Sequence, residues 1–151
     1  MVTMAAGTAV ITATSAAGKT AEYKITVKTP SVKLNVSSKT LYVKGSPDTV
    51  ALKATKTGIS GNVTYTSSKV SVATVDANGT AKAAGTAVIT AKCGNYKATC
   101  KITVKKPSVK ATASAKTVFV GGTSQIKVTK AGVSGKVTYI SSNKSVAAVS
   151  K

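Results

Sequence analysis

The strongest constraint on this chain is an internal repeat whose boundaries do not coincide with the chain's ends. Gly7-Thr8-Ala9-Val10-Ile11-Thr12-Ala13 returns as Gly85-Thr86-Ala87-Val88-Ile89-Thr90-Ala91. Lys24-Ile25-Thr26-Val27-Lys28 returns as Lys101-Ile102-Thr103-Val104-Lys105, and Pro30-Ser31-Val32-Lys33 as Pro107-Ser108-Val109-Lys110. Ser60-Gly61-Asn62-Val63-Thr64-Tyr65 returns as Ser134-Gly135-Lys136-Val137-Thr138-Tyr139, and Ser71-Val72-Ala73-Thr74-Val75 as Ser145-Val146-Ala147-Ala148-Val149. The blocks keep their order, which compositional bias alone does not produce. A period of roughly 75 residues marks a tandem array of small modules.

The repeat divides the chain into three parts. Residues 30–106 form one complete module. Residues 1–29 match only the C-terminal part of a module, and residues 107–151 only its N-terminal part. Lys151 aligns with Ala77 and Met1 with Gly79, so the two partial copies together make nearly one whole. The join falls at Asp76-Ala77-Asn78-Gly79, which reads as a turn between strands.

Within the complete copy, apolar residues alternate with polar ones, the period of a half-buried strand. Val32, Leu34 and Val36 share one face, followed by Leu41 and Val43, and then by Val50, Leu52 and Ala54. Val63 and Tyr65 share a face, and Val70, Val72 and Val75 lead to the Asn-Gly turn. Ala87, Ile89 and Ala91 are expected inward, with Thr86, Val88, Thr90 and Lys92 outward; Ile102 and Val104 are expected inward, with Lys101 and Thr103 outward. Gly45-Ser46-Pro47-Asp48 and Gly58-Ile59-Ser60-Gly61 read as turns. Short strands at this spacing predict an all-β chain of immunoglobulin-like β-sandwich modules in tandem. Aromatics are only 4% of residues, so Val, Ile, Leu and Ala must fill the core. A module of this size sits near the lower limit for a self-sufficient core, so neighbours or a covalent clip matter to it.

The same blocks resemble a known family. Asn62-Val63-Thr64-Tyr65-Thr66-Ser67-Ser68, then Ser71 to Gly79, then Ala84 to Ala91 and the closing Ala98-Thr99-Cys100-Lys101-Ile102-Thr103-Val104 are similar to the signature of group 2 bacterial immunoglobulin-like domains. Tyr65 stands where that family often has tryptophan, and Ser150 stands opposite Asp76. The resemblance implies an extracellular or bacterial cell-surface location and a role in stalks and adhesion, as in intimin-like and invasin-like proteins. Similar modules also decorate phage virions. The family brings no catalytic residues.

Side chains that carry chemistry are few. Cys93 and Cys100 flank Gly94-Asn95-Tyr96-Lys97-Ala98-Thr99 at a hairpin tip. Direct opposition would allow a cross-hairpin disulfide, and such a bridge would imply an oxidising compartment. A tight Gly94-Asn95 turn would instead pair Cys93 with Tyr96 and leave two buried thiols. Ser15 and Tyr23 occupy the matching places in the N-terminal copy, so any bridge is optional to the fold. Two cysteines without histidine do not make a metal site.

All 22 basic residues are lysine, there is no histidine, and Glu22, Asp48 and Asp76 are the only acids, giving a formal net charge of +19. Lysines alternating with threonine form a solvated face that protects edge strands from mispairing. The same face would attract acidic cell-surface polymers or glycans. Nucleic acid is disfavoured by the absence of arginine and the scarcity of stacking aromatics. Without histidine, and with scattered carboxylates, no catalytic constellation is recognisable and no cofactor is expected. Gly121-Gly122 is a turn, since no phosphate-loop lysine follows it. An intramolecular isopeptide bond needs a buried carboxylate, and Glu22 is expected to be exposed. No apolar run is long enough to span a membrane, and the N-terminus has no signal-peptide pattern; an export signal, if used, lies outside these residues.

These features point to a structural stalk or fibre that associates head to tail with identical chains through its split modules. The complete module lies between the partial ones and hinders one chain from joining its own ends. The alternatives are an adhesin or glycan-binding repeat segment and a phage virion decoration domain.

Overall fold

The computed structural model describes residues 5–75 and 78–150. It is all-β, in immunoglobulin-like modules. Two strands lead the chain, β1 (Gly7–Thr14) and β2 (Thr20–Val27). Among the described residues, nine strands follow in the central repeat: β3 (Ser31–Leu34), β4 (Ser38–Tyr42), β5 (Thr49–Ala51), β6 (Ala54–Thr57), β7 (Thr64–Ser67), β8 (Ala73–Val75), β9 (Asn78–Ala81), β10 (Gly85–Cys93) and β11 (Tyr96–Lys105). The trailing segment holds β12 (Ser108–Ala113) and β13 (Ile126–Ala131).

One layer of the central sandwich is the four-stranded sheet β4-β11-β10-β7. Its centre is the β10–β11 hairpin, with β7 antiparallel on one side and β4 parallel on the other. The second layer comprises the pair β3-β6 and the sheet β5-β9-β8. β5 and β6 are one run of chain broken at Leu52-Lys53. Asn35 bridges the break: its amide Nδ2 donates to Ala51 O at 3.0 Å, its Oδ1 accepts from Lys53 N at 2.9 Å, and its own backbone N donates to Lys53 O at 3.0 Å. The broken ladder therefore keeps its hydrogen bonds.

The alternation expected from sequence sets the core. Leu41, Val50, Leu52, Val72, Ala73, Ala87, Ile89, Cys100, Ile102 and Val104 pack as one buried cluster, and Val32, Ala91 and Cys93 as a second. Thr86, Val88 and Lys92 face outward, as their positions between those residues require. Two expectations fail locally. Val70 lies in the turn before β8 and is 62% exposed, because the chain reaches the core only at Val72. Asn78 and Gly79 belong to β9, which pairs with β5 and β8, so they are strand residues; Asp76 and Ala77 fall outside the described residues.

Tyr65 links the layers. Its hydroxyl accepts from Ala54 N at 3.1 Å and donates to Leu52 O at 3.4 Å. The phenol thus reaches from β7 in one layer to the broken strand of the other. It packs its ring against both core clusters while satisfying backbone groups at the break.

Candidate functional site

The leading hairpin reproduces the central one. β1 and β2 pair Gly7↔Val27, Ala9↔Ile25, Ile11↔Tyr23 and Ala13↔Ala21. β10 and β11 pair Gly85↔Val104, Ala87↔Ile102, Ile89↔Cys100 and Ala91↔Ala98, the same register in the repeat frame. The leading loop is one residue longer and closes with Ser15 N donating to Lys19 O at 2.8 Å. The difference is burial. Ile89 and Ile102 are 0% exposed, whereas their counterparts Ile11 and Ile25 are 54% and 37% exposed. A β-hairpin with one apolar face stands uncovered.

The trailing segment is the opposite half. β12 and β13 pair Val109↔Lys130 and Ala111↔Val128, as β3 and β6 pair Val32↔Lys56 and Leu34↔Ala54. Lys130 Nζ donates to Gly135 O just as Lys56 Nζ donates to Gly61 O. Strand structure stops there. Residues 115–119, which match β4, and 138–141, which match β7, carry no strand. Among the described residues of the central repeat, β4 pairs only with β11, and β7 only with β10. The segments that need the hairpin as hydrogen-bond partner are therefore irregular where the hairpin is lacking. The pair that does not need it is formed.

Apolar side chains of the trailing segment are correspondingly bare. Val118, Ile126, Tyr139 and Val146 are 47%, 42%, 41% and 82% exposed; their counterparts Leu41, Leu52 and Val72 are buried and Tyr65 is half-buried. Two unpartnered faces thus exist, each carrying the residues that the other's counterpart covers in the central repeat.

The cross-hairpin disulfide is not formed. Cys93 lies opposite Tyr96 and Cys100 opposite Ile89. Both side chains are buried on the same face, but four strand positions apart, about 13 Å. A disulfide holds its Cα atoms within roughly 7 Å. Both thiols are free; Cys93 belongs to one core cluster and Cys100 to the other. Burial pushes the Cys100 thiol pKa above the ordinary value. The tight Gly94-Asn95 turn, with Gly94 at φ 56°, sets this register. The inference of an oxidising compartment from a bridge falls with it.

Every lysine among the described residues is exposed, and Glu22 is exposed on β2. Among the described residues, no group of histidine, cysteine or carboxylate side chains could hold a metal ion, and no helix is long and apolar enough to cross a membrane. A shallow depression on the β4–β11 pair is lined by Ser38, Lys39, Thr40, Lys101 and Thr103.

No curated protein matches the chain in sequence. Among solved structures, surface layer protein SbsC, domains 4–9, is similar at 19% identity and a TM-score of 0.42, over 83% of this chain and 24% of that one. The S-layer protein rSbsC(31-844) is similar at 17% identity and a TM-score of 0.41, over 84% of this chain and 25% of that one. The chain spans about a quarter of either protein. Residues 61–106 match the family of bacterial Ig-like domains, without specifying group 2. The match lies within the central repeat, and blocks of the matched stretch recur on both sides of it.

Proposed function

We propose that this chain is a structural, non-catalytic protein of the bacterial surface or exterior that polymerises head to tail. In this reading the β1–β2 hairpin of one copy completes the trailing segment of the copy before it, restoring a whole Ig-like module at every joint. One observation carries it: among the described residues β4 and β7 pair only with the β10–β11 hairpin, and their counterparts at 115–119 and 138–141 are irregular. The leading hairpin has the register and the apolar face to convert both into strands. This is strand addition to exposed sheet edges, in which main-chain hydrogen bonds supply affinity and alternate side chains supply register. A head-to-tail contact that does not close on itself makes a filament.

The covered module is the better state for physical reasons. Open strand edges and bare apolar faces are both costly in water. A net charge of +19 opposes association, so burial has to exceed repulsion between copies. The surface location and stalk-like role agree with the bacterial Ig-like domain at 61–106.

The test is light scattering against protein concentration, negative-stain electron microscopy, and amide hydrogen exchange on the same samples. Filaments are expected, with residues 115–119 and 138–141 gaining protection on assembly. A monomer at all concentrations, with those residues exchanging freely, sinks the reading. A second reading is favoured by the exposed lysines: adsorption to acidic surface polymers or glycans. Retention on an anionic polysaccharide that collapses steeply with salt would identify it as generic charge attraction.

A further inference from the structure

The contact between the central repeat and the trailing segment is made by a small set of residues. On the central side, the chain leaving β4 turns through Tyr42, Val43, Lys44 and Gly45, closed by Gly45 N donating to Tyr42 O at 3.2 Å. On the trailing side stand Pro107 and Gly132. The Tyr42 ring lies directly over Gly132: a Cβ built there would overlap ring Cγ and Cδ1 and sit 2.7 Å from Tyr42 Cβ. A Cβ on Gly45 would sit 2.5 Å from Gly132 O and 2.6 Å from Pro107 Cγ. Ser46 N donates to Gly132 O at 3.1 Å. Only glycines permit this approach, and Gly132 also holds φ 66°.

Each half of this joint recurs in the chain without a partner. Phe119 occupies the place of Tyr42, and its turn closes in the same way, Gly122 N donating to Phe119 O at 2.8 Å. The left-handed position of the turn is Lys44 at φ 51° in one copy and Gly121 at φ 83° in the other. Thr123 follows Gly122 as Ser46 follows Gly45. Yet Phe119 is 93% exposed, whereas Tyr42 is half-buried. The receiving half recurs as Pro30 and Gly58. Gly58 has φ 64°, a Cβ built there would lie 3.7 Å from Pro30, and it is exposed where Gly132 is half-buried. The linkers match as well: two residues separate Val104 from Pro107, and two separate Val27 from Pro30.

We infer that Phe119 of one copy seats on the Gly58–Pro30 saddle of the next copy, with Thr123 N donating to Gly58 O, so that each joint between copies has a second contact besides strand completion. The inference rests on the head-to-tail reading above, because that order puts the completed module directly before the neighbour's central repeat. Its consequence is a fibre whose module-to-module angle is fixed in the same way within copies and between them. An unbraced two-residue linker would leave every second joint loose.

The experiment places p-benzoylphenylalanine at position 119 in full-length chain, mixes isotopically light and heavy copies, irradiates the assembled sample and maps cross-links by mass spectrometry. Light–heavy cross-links from position 119 to residues 30 or 57–59 are expected. Filament persistence length is measured in parallel for Phe119→Ala, and for Tyr42→Ala as the reference for loosening the joint within a copy. Phe119→Ala is expected to shorten the persistence length as Tyr42→Ala does, with hydrogen-exchange protection of 115–118 retained. Filaments whose cross-links fall elsewhere, or whose stiffness ignores Phe119→Ala, overturn the second contact and leave strand completion standing. Chains that never assemble overturn both.

Discussion

Ile25 and Ile102 occupy the same place in two copies of one hairpin, so the same substitution at each separates assembly from folding. Ile102 is 0% exposed in the folded central repeat, and truncating it to alanine removes a fully packed side chain. The cost is about 2–5 kcal/mol of module stability, a drop in melting temperature of roughly 10 °C or more for a domain of this size. Ile25 is 37% exposed in the single chain and would become buried only when its hairpin completes a neighbour. Burying an isoleucine fully is worth about 1.5–3 kcal/mol, so the exposed third contributes roughly 0.5–1 kcal/mol on assembly. The cavity left in the composite core adds to this, giving about 1–2 kcal/mol per joint. At about 1.4 kcal/mol per factor of ten, the critical concentration for polymerisation should rise roughly 5- to 30-fold. Sedimentation of filaments across a concentration series reads the first quantity, and a thermal melt of the central repeat the second. Ile25→Ala should move sedimentation and leave the melt alone; Ile102→Ala should move the melt. An unchanged critical concentration in Ile25→Ala would refute the claim that this face is buried between copies.

Other consequences are open to direct measurement. Tyr65→Phe leaves Ala54 N and Leu52 O without their hydroxyl partner and should cost about 1–3 kcal/mol in a denaturant titration. Gly85→Ala sets a Cβ 2.9 Å from Val72 Cγ2 at φ 148°, and should destabilise the module by about 1–3 kcal/mol in the same titration. Because burial raises the Cys100 pKa, the unfolded chain ionises first as pH rises. Stability linked to this thiol is complete below the ordinary value of 9.0 and declines above it, and Cys100→Ala should flatten that part of the pH–stability curve. Both free thiols should resist a thiol reagent in native buffer and react in denaturant. With +19 on each copy, filament formation should strengthen with moderate salt, whereas adsorption to a polyanion weakens.

What the residues alone determine depends on the kind of information each feature carries. Alternation is local, so the inward sets Ala87-Ile89-Ala91 and Ile102-Val104, the strand-rich class and the modular order were all legible in the residues. The resemblance to bacterial Ig-like domains was legible for the same reason, since it rests on blocks of adjacent residues. The hairpin register was not. Pairing Cys93 with Cys100 or with Tyr96 differs by a shift of four, an even number, and an even shift leaves every side chain on the same face. Periodicity cannot distinguish the two; the tight Gly94-Asn95 turn and the fit against β7 did. Nor could the sequence show that Tyr65 reaches Leu52 and Ala54, that Asn35 bridges the break in the second layer, or that Val70 stops short of the core, because each depends on how two layers meet. The repeat alone predicts that the chain holds two complementary parts of a module. Only the tertiary structure decided which of their strands can form alone: β1–β2 and β12–β13 carry their own hydrogen-bond partners, while the counterparts of β4 and β7 do not.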